Sequence, residues 1–285
     1  MNDVKKVLFI AIFCFGLLGC ERSSFDEDRY IAEYARVNDL LQSGSYVKAL
    51  KASELFLKNY PDKLIPYFMN IALTVEVKKL KKLPRENTAE REKLVEQIIK
   101  SGSQVEVLFT QLSKRKKLEN IGFLIAYGMI LEEIGEYEES IGIFNKYYSR
   151  EEIRNHPRYK YASLNFANAL ASTNQRNKGD LLLKSALQNS NDSLVIQGYV
   201  KFKADHYSQE EAVELANHYL REDANSADVK YQLCFTYEQY GDHSSAQSCY
   251  AELIDWSKVQ EIELEYLNHA QTYLKNPKEV ISDKF

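Results

Sequence analysis

Cys20 is the residue whose type and surroundings most plainly suggest covalent chemistry. A cysteine thiolate is a strong nucleophile. This one closes an uncharged apolar run, residues 7–18, that follows Lys5 and Lys6. Positive charge, apolar run, then small residue is the layout of a secretion signal, and the run is shorter than the roughly 20 apolar residues a spanning helix needs. Other side chains capable of chemistry are scattered. His156, His206, His218, His243 and His269 include no i, i+4 pair around a glutamate, as an HExxH site requires. There is no GxSxG elbow and no phosphate-binding glycine loop. The pairs Glu132-Glu133 and Glu138-Glu139 have the pattern of solvated helix faces. No catalytic site, metal or cofactor is expected, and the chain reads as something other than an enzyme.

The segment Leu17-Leu18-Gly19-Cys20 resembles the bacterial lipobox. In that family the thiol receives a diacylglyceryl group, the signal is cut before the cysteine, and the new amino terminus is acylated. The resemblance implies a signal peptide over residues 1–19, a lipidated Cys20, and a linker through residue 28 that Asp26, Glu27 and Asp28 keep extended. One acyl chain binds a bilayer only marginally, whereas several on one residue anchor it stably. Glu21, where enteric relatives retained at the inner membrane carry Asp, favours the outer membrane, facing the periplasm.

The rest of the chain must then be built for that compartment. The full 285 residues carry 37 Lys and Arg against 41 Asp and Glu, a mild negative balance that argues against a nucleic-acid partner. Only 11 glycines and 5 prolines, with many Leu, Ala, Glu and Lys, predict helices. Cys234 and Cys249 are an even pair, which an oxidising compartment permits to bridge. Spacing alone leaves open whether they do so or are two small buried residues.

A repeated grammar organises the helices. Leu124, Tyr127, Gly128 and Leu131 share a helical face, Gly135 ends that helix, and Tyr137, Ser140, Phe144 and Tyr147 mark the next. Small residues at 128 and 140 let the two helices approach closely. Residues 160–188 repeat the pattern around Asn174, 227–254 around Gly241, and the start of the chain around Gly44; a weaker unit covers 193–221. The spacings Gly44, Tyr46, Ala49 and Gly135, Tyr137, Ser140 resemble the tetratricopeptide repeat, whose closing proline is present only as Pro61. Asn174, Arg176 and the Tyr207–Ser208 turn depart from it. The resemblance implies an all-α, right-handed superhelix, or solenoid, of helix-turn-helix repeats: one over residues 29–77, others over 121–256, and a capping helix at about 258–275 with a tail to 285. Capping-box spacings at Ser103/Glu106, Ser208/Glu211, Ser257/Gln260 and Asn87/Glu90 mark helix starts.

Residues 78–120 break the pattern. They read as an inserted basic hairpin, helices at about 89–100 and 104–117 joined at Ser101-Gly102. Lys78, Lys79, Lys81 and Lys82 form one cluster, and Lys114, Arg115, Lys116 and Lys117 another. Such a patch is a candidate for facing anionic lipid, or is a solvated helix end and loop.

Within a repeat of this family the first helix lines a concave groove. Tyr231, Phe235 and Glu238 share one stripe, and Tyr161, Asn165 and Asn168 another. Aromatic anchors and amide groups suit a peptide client; packing against an adjacent repeat accounts for the same residues. The resemblance implies a lipid-anchored scaffold whose partners are the membrane and a protein client. Lipoproteins of this plan assist pilus secretin assembly, outer-membrane barrel assembly and control of peptidoglycan hydrolases. The alternative is a component of exopolysaccharide export, with tyrosines stacking on sugars.

Overall fold

The structure is a computed structural model that describes residues 25–78, 80, 89–148, 159–188, 192–223, 226–259 and 266–277. Cys20 and the apolar run before it lie outside the described residues. Among the described residues there is no strand, and thirteen α-helices follow one another. They are α1 (Phe25–Gln42), α2 (Tyr46–Asn59), α3 (Leu64–Val77), α4 (Ala89–Gln111), α5 (Lys114–Glu133), α6 (Tyr137–Tyr147) and α7 (Tyr159–Ser172), then α8 (Arg176–Leu187), α9 (Ser193–His206), α10 (Gln209–Glu222), α11 (Ala227–Gln239), α12 (His243–Val259) and α13 (Leu267–Lys275).

The same turn ends α1, α5, α7 and α11. Gly44, Gly135, Asn174 and Gly241 all have positive φ, between 63° and 85°. Each turn makes the same six-residue hydrogen bond: Ser45 N–H to Leu40 C=O, Glu136 to Leu131, Gln175 to Leu170, and Asp242 to Tyr237, at 2.8–2.9 Å. This satisfies carbonyls that a helix end would leave orphaned, and the left-handed residue is what lets the chain double back. The α9–α10 turn is different. Tyr207 keeps a negative φ and only its own N–H reaches back, to Lys203. Ser208 then caps α10 by accepting from the Glu211 N–H at 3.2 Å, at the start its spacing predicts.

The chain forms two compact units, one through Ala169 and one from Leu170. In the first, each helix from α1 to α5 packs on the next, α5 packs on α6, and α3 also meets α5. Its core includes Phe56, Phe68, Phe109 and Phe144. Tyr30 packs on Phe56 and edge-on to Tyr60, with ring centroids 5.0 and 5.1 Å away. Close approach at Gly128 is as expected: Ser140 Oγ donates to the Gly128 carbonyl at 2.8 Å, and a Cβ on Gly128 would meet the Phe144 ring at 3.1 Å. In the second unit α8 to α13 pack in succession and α9 also meets α11. Tyr199, Tyr250 and Tyr273 are fully buried there.

Several boundaries differ from expectation. Residues 25–28 belong to helix α1, and are helical rather than extended linker. The inserted hairpin does not exist as such. Residues 89–111 form one helix, which packs on α3 and on α5. Gly102 is no turn; it lies beneath the Tyr127 ring, where an added Cβ would stand 1.9 Å from Cζ. Ser103 is mid-helix and donates to the Ile99 carbonyl instead of capping. The true break is at Leu112-Ser113, and Ser113 caps α5. At the other end, the last helix is α13, shorter than expected, because residues 258 and 259 still belong to α12. Ser257 donates to the Ile254 carbonyl inside that helix. Asn276 ends α13 where Pro277 requires a stop. Asn87 and Gln260 lie outside the described residues.

Gly102→Ala places a methyl inside a buried ring. Urea denaturation should show a loss of about 1–3 kcal/mol, the usual cost of overpacking. In a Tyr127→Leu background the same substitution should cost much less; an equal cost in both backgrounds would place the strain elsewhere.

Candidate functional site

Helix α11 brings its predicted stripe together, and packs it. Tyr231 stacks on Phe235 at 6.2 Å and on Tyr266 at 4.3 Å, with ring planes 25° and 23° apart. Glu238 is only 6% exposed. Its Oε2 accepts from the Tyr250 hydroxyl at 2.7 Å and faces His269 Nε2 at 2.9 Å. Burial, then the Glu238 charge, pushes the Tyr231 hydroxyl up to about 12. The same two causes raise that of Tyr250 well above the ordinary tyrosine range. A groove lined by Tyr231, Phe235 and Glu238 is therefore not open here. Tyr266 and His269, at and within the start of α13, occupy the position a client would take, because a final helix pair must cover its apolar face.

The second stripe lies on α7. Tyr161, Asn165 and Asn168 are half-buried. Asn165 donates its amide to Glu132 Oε2 at 2.8 Å, so that group ties α7 to α5. Asn168 lies about one turn further along the same face of α7.

The basic clusters are only partly placed. Lys79, Lys81, Lys82 and the side chain of Lys114 lie outside the described residues. Lys78, Arg115 and Lys116 are exposed. Lys117 is half-buried, its ammonium 6.0 Å from the centre of the Phe109 ring. Lys116 also lines a small cavity of about 240 Å³ with Tyr30, Asp62, Lys63 and Asn120.

Two arrangements escaped the reading of the sequence. One is a groove of about 730 Å³ along α1 and α2. Ala32, Ala35, Leu40, Ala52 and Leu55 form its apolar lining; Arg36, Lys48 and Lys51 stand around it with the single carboxylate of Asp39. Ile31, Val47 and Leu55 are 40%, 60% and 47% exposed, unusual for large apolar side chains. The signal was present as apolar residues off the core-facing stripe of α2, at 47 and 55.

The other is a buried charge cluster. Asp180 on α8 accepts from the Tyr199 hydroxyl at 2.6 Å and pairs with Lys203 at 2.9 Å and Lys184 at 2.7 Å. Lys203 also pairs with Glu211 at 2.9 Å and sits 3.9 Å from the centre of the Tyr207 ring. Burial by itself would raise the Asp180 carboxyl, but the bonds from Lys184, Tyr199 and Lys203 outweigh it and hold it below the usual carboxylate range. Burial likewise opposes charge on Lys203, and Glu211 and Asp180 outweigh that and raise it. This cluster joins α8, α9 and α10 around the irregular Tyr207 turn. Nothing in the spacing of 180, 203 and 211 announces it.

Cys234 and Cys249 form a disulfide between α11 and α12, their Cα atoms 5.2 Å apart. Among the described residues no group of three or more His, Cys, Asp or Glu side chains is arranged to hold a metal ion, and no helix is long and apolar enough to cross a membrane. No protein-family model and no curated protein sequence matches this chain.

Asp180→Asn leaves Lys203 with Glu211 alone and should cost about 3 kcal/mol at pH 7, the low end for breaking a buried pair. Because the folded-state pKa of Asp180 is depressed, its stabilisation is present above the unfolded value near 3.9 and fades as pH falls through the folded one. The gap between variant and parent in urea titrations should therefore close below about pH 4; a gap independent of pH would refute the charge pairing. For the disulfide, alkylation under non-reducing conditions should leave Cys234 and Cys249 unmodified. Reduction should remove about 3 kcal/mol, as expected for a loop of 15 residues.

Proposed function

We propose that this chain is a lipid-anchored scaffold of the bacterial envelope, a right-handed superhelix of tetratricopeptide-like repeats that holds a segment of a protein client at the membrane surface. The observation that carries this reading is recurrence. Four helix ends share one left-handed turn and one six-residue hydrogen bond, at Gly44, Gly135, Asn174 and Gly241. Contacts between alternate helices, α3 with α5 and α9 with α11, are those that stacked hairpins make. Repeats of this kind bury one face against a neighbour and offer another to partners, which suits binding rather than catalysis.

Acylation of Cys20 supplies the address, the outer membrane with the repeats facing the periplasm. The Cys234–Cys249 disulfide fits an oxidising compartment of that kind. Of the candidate groove residues, Asn168 on α7 is the better candidate to meet a client, since the α11 stripe is covered by α13. That cover also favours a protein client over a sugar: Tyr231, the tyrosine best placed by spacing to stack on a glycan, already stacks on Tyr266.

The anchor and the client site can be tested in one strain. Mass spectrometry of the N-terminal peptide should find acyl groups on Cys20, and Cys20→Ser should release the protein into the soluble envelope fraction. A photo-crosslinker at Asn168 should capture one envelope protein in the anchored chain and much less of it in Cys20→Ser. Unaltered membrane association without acylation would refute the anchor; crosslinks indifferent to position, captured equally from Lys258, would refute the groove.

A further inference from the structure

We propose that the outer face of the α1–α2 hairpin is a docking surface for an anionic lipid bilayer. This rests on the lipid-anchor reading of Cys20 and adds a second, non-covalent contact to it.

Chain length limits how far α1 can lie from the anchor. Four residues lie between Cys20 and Phe25, the first described residue of α1, a span of five Cα-to-Cα steps. At full extension that is at most about 18 Å. An acylated Cys20 therefore holds the start of α1 close to the headgroups, and the 18 residues of α1 extend about 27 Å from there. The α1–α2 face is within reach of the bilayer whenever the hairpin lies along it. A partner arriving by diffusion has no such advantage, because a tether converts the second contact into an intramolecular one.

The face has the chemistry of a membrane interface. Leu55, nearly half exposed, lines the groove on α2 with Lys48 and Lys51, so an apolar side chain and cations share one surface, and exposed Val47 stands about two turns before Leu55 on the same helix. Interfacial helices place such apolar residues at the acyl boundary and their cations among the headgroup phosphates. Ala32, Ala35 and Ala52 project too little to hold a bilayer away. Three cations, Arg36, Lys48 and Lys51, face one carboxylate, Asp39. Glu33, the nearest other carboxylate on α1 on its N-terminal side, is engaged elsewhere: it accepts from the Asn59 amide at 2.9 Å and pairs with Arg29 at 3.4 Å. The Lys78 and Lys114 clusters have charge, but the groove adds the apolar component that they lack.

The test uses the full chain, extracted from membranes and reconstituted into phosphatidylcholine vesicles with or without phosphatidylglycerol. A water-soluble amine-acylating reagent reports the exposure of Lys48 and Lys51, with Lys184 and Lys258 as references. Labelling of Lys48 and Lys51 should slow by at least about five-fold on the anionic vesicles alone, and recover in high salt. Leu55→Glu, at a position exposed enough to tolerate it, should abolish the protection. Replacing Lys114, Arg115, Lys116 and Lys117 by Gln should leave it intact. Equal labelling on the two vesicle types overturns the proposal. So does protection that depends on residues 114–117 and not on Leu55. Protection seen in native envelopes but not on pure lipid also overturns it, and assigns the face to a protein. The Cys20 peptide in the same digest separates the two readings: protection without acylation refutes the anchor and keeps the docking surface, and acylation without protection does the reverse.

Discussion

A helix that turns back on itself through a short connection can do so with one residue of positive φ, which also satisfies carbonyls of its last turn at the same place. The molecule does so in the same way four times, at Gly44, Gly135, Asn174 and Gly241. In each case the residue five positions after the turn residue, Ala49, Ser140, Gly179 or Ala246, is a small buried one on the helix that follows. Ser140 shows what the small size is for: its hydroxyl reaches the carbonyl of Gly128 across the hairpin, which a larger side chain would prevent. At Tyr207, where that turn is missing, the Asp180–Lys203–Glu211 cluster and the Tyr207 ring supply the ties between neighbouring helices instead.

Close packing also explains the polar groups inside. A buried charge is costly unless it is paired and hydrogen-bonded. Asp180 has Tyr199, Lys203 and Lys184; Glu238 has Tyr250 and His269. Both clusters join successive helices rather than opening onto a cleft. They make the order of packing specific, because a slipped helix would leave a carboxylate unpaired. The disulfide acts similarly within the last long hairpin, tying α11 to α12.

The surfaces that remain match only in part those that charge and spacing favoured. The α11 stripe is covered by α13, the last helix among the described residues. The α1–α2 hairpin has no helix before it among the described residues, and it keeps an apolar, cation-rimmed groove. In a stack of repeats the internal faces are used for packing, so partners are left the ends and the exposed helix stripes.

Residue order alone was enough for the helical class, the hairpin turns and the small residues at the hairpin contact. These are local demands: a positive φ selects Gly or Asn whatever surrounds it, and apolar period follows from helix geometry. Residue order misplaced Gly102, which has the composition of a turn but serves as a seat for the Tyr127 ring from a different helix. It misplaced Ser257 for a similar reason, since a capping spacing does not reveal whether the preceding helix has ended. Tertiary packing was needed to settle which stripe is covered, whether Cys234 meets Cys249, and which carboxylate pairs with which lysine. Those outcomes depend on residues of different helices meeting in space, as Cys234 with Cys249 and Glu238 with His269 do. No local pattern encodes such meetings; they arise from how the hairpins stack.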